Sequence, residues 1–91
     1  MTVQTFDFSS DWVSAPGDTI LDLLEERGWK QTEFAERIGF TTRHISRMIN
    51  GKSAITEDGA IRLERVLGGS ARFWMNRESR YREALFRVVS Q

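Results

Sequence analysis

The chain has 91 residues, 40% hydrophobic and 29% charged, with 13 basic and 13 acidic side chains in formal balance. That length supports one domain with one modest core. With no cysteine and one histidine, disulfides, Cys-based metal sites and multi-His zinc clusters are excluded, and no metal or cofactor is expected.

No apolar run approaches the roughly twenty residues that cross a bilayer. No basic stretch followed by an apolar run marks a secretion signal. The expectation is a cytoplasmic location with no membrane partner.

Residues 1–14 read as an extended N-terminal segment. TVQTFDF alternates apolar and polar residues, as an extended strand does. Such a segment would either cover the helical body or add to the sheet edge of another chain. From residue 15 to residue 91 the pattern is helical. Asp18 is the expected N-cap of a first helix, whose buried face is Ile20, Leu21, Leu23 and Leu24. It runs to about Arg27 and ends at Gly28.

The stretch Gln31 to Asn50, QTEFAERIGFTTRHISRMIN, carries the most information. Phe34, Ala35 and Ile38 form one face of a short helix that starts near Gln31, behind Lys30, a poor capping residue. The small Ala35 leaves room for two helices to cross steeply. Gly39 stands where a helix end wants positive φ. Phe40 anchors the turn, and Thr41 offers an N-cap hydroxyl to a second helix. Ile45, Met48 and Ile49 are that helix's buried side. At about 100° per residue, Thr42, Arg43, His44, Ser46, Arg47 and Asn50 fall on the remaining arc. Gly51 closes the helix, and Lys52 lies beyond it. This is the layout of a helix-turn-helix, whose second helix enters the DNA major groove. The plainer alternative is an αα-hairpin with a solvated face.

Thr56 caps the next helix, with Glu57 and Asp58 in the first turn, where negative charge suits the helix dipole. Ile61, Leu63, Val66 and Leu67 pack inward, and Gly68-Gly69 stops it. Ser70 caps a final helix that bears Phe73, Trp74, Met75, Tyr81, Leu85 and Phe86.

Charge is distributed unevenly. Residues 1–26 hold six acids and no Lys or Arg, whereas Arg37 to Thr56 holds Arg37, Arg43, Arg47 and Lys52 and no acid. A local basic patch binds phosphates even on a neutral protein, because only nearby charges displace counterions. Catalysis has no such support. His44 and Ser46 form no nucleophilic constellation, no Gly-rich phosphate loop is present, and Glu25-Glu26 reads as solvated. The chain is not expected to be an enzyme.

Pro16-Gly17-Asp18, Gln31, Glu33, Ala35, Gly39, Ile45-Ser46, Asn50-Gly51-Lys52, Ile55-Thr56, Ala60, Leu63, Leu67-Gly68, Phe73-Trp74-Met75-Asn76 and Tyr81 together resemble XRE-type (Cro/CI-like) helix-turn-helix proteins. Within that group the chain is similar to the HigA/VapI antitoxins, over about residues 15–83. It departs at Ala15, where the family often has His, and at the charged pair Arg77-Glu78. Its N-terminal extension through Trp12 resembles a subgroup fused to a metallopeptidase-like domain.

The resemblance implies an all-α, five-helix Cro/CI-like domain acting as a homodimer on a palindromic operator. It implies a DNA-binding antitoxin that represses its own toxin–antitoxin operon and neutralises a RelE-like toxin. The arc of the second helix and its ends give Thr41, Thr42, Arg43, His44, Ser46, Arg47, Asn50 and Lys52 as the expected contacts to double-stranded DNA, and the resemblance adds Gln31, on phosphate. RelE-like toxins are expected to be basic, so the acidic residues 1–26 suit such a partner; alternatively they only keep that side off DNA and soluble. Two other readings stand beside this one. The first is a transcription regulator without a toxin, or the DNA-binding part of a metallopeptidase-fused regulator. The second is a protein-binding module that keeps the fold without reading DNA.

Overall fold

The computed structural model describes residues 14–90, which form five helices. These are α1 Pro16–Arg27, α2 Gln31–Ile38, α3 Thr42–Ile49, α4 Glu57–Leu67 and α5 Ala71–Ser90. No strand occurs among the described residues. The expected strand over TVQTFDF lies outside them.

Helix α1 starts earlier than the sequence suggests. Its N-cap is Ala15, which offers no side-chain cap, and Pro16 occupies the first helical turn. The pyrrolidine ring presets φ and needs no donor there, so the helix begins at the proline. The expected cap, Asp18, instead lies inside the first turn and accepts a hydrogen bond from the Ser14 hydroxyl at 3.2 Å. The other caps fall where the sequence places them. The Thr41 hydroxyl accepts from the His44 amide at 3.1 Å, Thr56 from Gly59 at 3.1 Å and Ser70 from Phe73 at 3.0 Å. Lys30 gives α2 no side-chain cap.

The core lies between the helices. Helix α4 packs along α5, α1 lies across α3 and α5, and α2 touches α3 and α4. Ile20 and Leu24 enter from α1, Phe34, Ala35 and Ile38 from α2, and Ile45, Met48 and Ile49 from α3. Ala60, Leu63 and Leu67 enter from α4, and Trp74 closes the core from α5. The Trp74 indole donates to the Gly68 carbonyl at 2.9 Å, which satisfies its one polar atom inside the core.

Two residues expected inside are exposed. Leu21 is 41% and Ile61 43% accessible. Each stands one position after the residue that leads the buried line of its helix: Ile20 of the Ile20–Leu24 line and Ala60 of the Ala60–Leu63–Leu67 line. A helix turns about 100° per residue, so each is carried out of that line. Small Gly59 and Ala60 face inward on α4, letting it sit close to its neighbours. Leu23 and Val66 are half-buried at the core's margin.

Candidate nucleic-acid interface

The two motif helices meet through a turn of three residues, Gly39-Phe40-Thr41. Gly39 has φ of 82°, a left-handed conformation that lets its amide bond back to Ala35 at 2.9 Å. The next amide, of Phe40, bonds to the same carbonyl at 3.1 Å. Thr41 is extended at φ −73° and ψ 155°, and its hydroxyl and carbonyl start α3 through the amides of His44 and Ile45. The Phe40 ring meets the His44 ring edge-on, with centroids 4.6 Å apart. His44 is therefore half-buried against the turn.

Beyond that contact, α3 presents its expected arc. Thr41, Thr42, Arg43, Arg47, Asn50 and Lys52 are exposed, and Ser46 is half-buried. The structure thus brings eight of the nine expected contact residues to α3 and its two ends. The ninth, Gln31, is exposed at the first position of α2. No side chain caps that helix end, so it presents backbone N–H groups and the positive pole of a helix to an anion.

Not all of these side chains are equally committed. Arg47 donates to the Ser53 hydroxyl at 3.2 Å and to the Lys52 carbonyl at 3.3 Å. Its own carbonyl receives the amides of Lys52 and Ser53 at 2.8 and 3.2 Å. Arg47 therefore shapes the loop behind α3 and is tethered to it. Asn50 donates to the Ser46 hydroxyl at 3.4 Å. Arg43 has no such bond among the described residues and projects from the exposed side of the helix. Arg37 contributes less to a basic face than its charge suggests. It pairs with Glu33 at 3.2 Å and stacks over Trp29 at 4.3 Å.

Three arginines outside the expected set hold the motif in place. Arg62 of α4 donates to the carbonyls of Ile38 and Gly39, both at 3.1 Å. Arg82 of α5 donates to the Gly51 carbonyl at 3.0 Å and is paired with the buried Glu78. Arg77 binds the carbonyls of Ser14 and Ala15 at 3.3 and 3.0 Å and the Thr19 hydroxyl at 2.7 Å, pinning the start of α1 to α5. This gives the charged Arg77-Glu78 pair, which departs from the resembled family, a structural role. Nothing in the sequence points to these tethers, because the backbone carbonyls that each arginine binds lie 23 or more residues away.

A model of the helix-turn-helix family matches residues 20–74. The uncharacterised HTH-type transcriptional regulator YddM of Escherichia coli K12 is 38% identical over 61 residues, 67% of this chain. The chain spans 65% of the length of that curated relative. A candidate antidote protein of a plasmid maintenance system from Nostoc punctiforme is similar in structure, with TM-score 0.76 and 34% identity over 85% of this chain and 84% of that one. Antitoxin HigA of Pseudomonas aeruginosa, solved with the higBA promoter, gives TM-score 0.79 at 27% identity over 85% of each chain. Sequence and fold agree: the chain belongs to the XRE-type helix-turn-helix family, and its five helices are arranged as in HigA-type antitoxins.

Proposed function

We propose that the chain is a sequence-specific DNA-binding antitoxin that represses its own toxin–antitoxin operon. One observation carries the reading. Helix α3 is capped, buried on one side and exposed on the other at Thr42, Arg43, Arg47 and Asn50, in a stretch without a single carboxylate from Ile38 to Thr56. A helix of this kind fits the major groove, with Arg43 reaching guanine edges or phosphate. Gln31 and the open amides at the start of α2 take a backbone phosphate, and Lys52 takes another. The likeness to a HigA antitoxin solved with promoter DNA supports the same reading.

One short helix reads too few bases for useful specificity. A homodimer on a palindromic operator, with half-sites about one turn apart, supplies the rest. The partner protein is a basic RelE-like ribonuclease toxin, and the acidic N-terminal portion faces it. The chain itself needs no cofactor, catalyses nothing and works in the cytoplasm beside the operon.

Duplex DNA from directly upstream of the chain's own reading frame tests the DNA part, against a shuffled duplex of equal composition. Equal affinity for both overturns it. Co-expression with the product of a neighbouring short basic reading frame tests the antitoxin part, with relief of growth arrest as the expected result. YddM is named a transcriptional regulator, which favours a second reading: a regulator without a toxin. Promoter binding with a harmless neighbouring product would establish that one.

A further inference from the structure

Arg62 is the one side chain of α4 that reaches the helix-turn-helix turn by hydrogen bonds among the described residues. Its guanidinium bridges two successive carbonyls, those of Ile38 and Gly39, which are among the acceptors that the end of a helix leaves without partners. Asp58 steers it from one turn earlier, with its carboxylate 3.1 Å from Nε. The same guanidinium lies 4.6 Å from the centre of the Phe40 ring, and Phe40 in turn meets His44. One planar cation thus touches the end of α2, the turn and, through one ring, the first turn of α3. The site is tight: a methyl group on Gly39 would sit 3.0 Å from Arg62 Nη1.

We propose that Arg62 is a positioning residue for DNA reading: it fixes how α3 leaves the turn and so sets operator discrimination. The proposal rests on the DNA-binding reading above and adds a residue outside the DNA-facing arc. Nη1 alone serves both carbonyls, while Nε faces the Asp58 carboxylate and the guanidinium lies by the Phe40 ring; the single nitrogen of an ammonium group cannot span all of these contacts at once. A recognition helix held loosely still meets phosphates, because those contacts are long-ranged and sequence-blind. Contacts to base edges are the ones that a shift of about an ångström removes.

The test uses Arg62→Met and Arg62→Lys in the full chain. The probe is the duplex that wild-type protein enriches from a random-sequence library, with a shuffled duplex as its control. Both variants are expected to lose roughly tenfold of the preference for the enriched duplex, about the worth of one good base contact. Affinity for the shuffled duplex should change much less. Amide hydrogen exchange without DNA is the second arm. Protection should fall at Gly39 and Phe40, whose amides close the end of α2 on Ala35, and at His44 and Ile45, whose amides open α3 on Thr41, and hold at Leu63 and Trp74. Full preference in Arg62→Lys would show that the charge alone matters, and would overturn the proposal. Unchanged preference in Arg62→Met, or equal loss of protection at all six amides, would overturn it as well. If wild-type protein enriches no sequence, the DNA-binding reading fails, and the exchange arm alone decides whether Arg62 holds α3.

Discussion

Gly17 lies directly on the backbone of Ile49: a methyl group built on its Cα would sit 1.9 Å from the Ile49 carbonyl oxygen. The first turn of α1 is thereby seated on the last turn of α3. The contact is between backbones, so no rotamer change relieves a larger residue. Gly17→Ala should force α1 and α3 apart and cost about 1–3 kcal/mol or more, in the range of an overpacked core. Urea denaturation measures it. A midpoint equal to wild type would mean the two backbones are not in contact in solution.

Thr41 should matter through its hydroxyl. The cap bond to the His44 amide starts α3, and α3 is only 8 residues long. Thr41→Ala should cost about 1 kcal/mol of stability, whereas Thr41→Ser, which keeps the oxygen, should cost little. Thermal melts of both variants check this. Equal losses would point to the methyl group and not to the cap.

What the sequence makes legible here is what acts locally. Gly39 and Thr41 declare the turn because a left-handed residue and a hydroxyl are each demanded by backbone geometry within four residues. The buried side of α3 follows from the spacing of Ile45, Met48 and Ile49 for the same reason. Asp18 misleads because two features competed for one helix start, and the proline's fixed φ prevailed. Leu21 and Ile61 mislead because their hydrophobicity is local while their exposure depends on which line of each helix meets its neighbours. Arg62, Arg77 and Arg82 are illegible for a different reason. The i,i+4 acids Asp58 and Glu78 are visible in the sequence, but the tethers to the motif and to α1 end on backbone carbonyls, which every residue carries, so no pattern of side chains points to them. The contact arc of α3 was legible as an arc, but the tether of Arg47 to Lys52 and Ser53 depends on how the following loop folds back.

Arg43 and Arg47 should part company on DNA. Arg43→Ala should cost about 1–3 kcal/mol of operator affinity and relax specificity at one position. Arg47→Ala should also weaken binding, but it should in addition loosen the loop that carries Lys52. Operator titrations, with limited proteolysis after Lys52, separate the two effects. Unchanged affinity in both variants would remove the arginines from the interface.

Gln31 is expected to act on a phosphate from its helix start and not on a base. Its substitution by Ala should weaken specific and random duplexes alike, because a phosphate contact carries no sequence information. Titrations against both duplexes decide. Loss of sequence preference with intact random binding would contradict the role.

The proposed homodimer is expected to form through the end of α5. Phe86 and Val89 are 72% and 81% accessible, and Val88 is 53% accessible. Phe86 and Val89 stand three residues apart, so they share one side of the helix. Neither belongs to the core, whose contribution from this helix is centred on Trp74. Phe86→Ser with Val89→Ser should therefore leave the fold and its melting temperature close to wild type, while removing the apolar surface proposed to join two copies. Light scattering at micromolar concentration should show the dimer mass in wild type and half of it in the double variant. Operator binding should weaken in the same variant, because each half-site would then be bound alone. A wild-type chain that is monomeric both free and on its operator would end the claim. A double variant that stays dimeric would move the interface to another face of the domain.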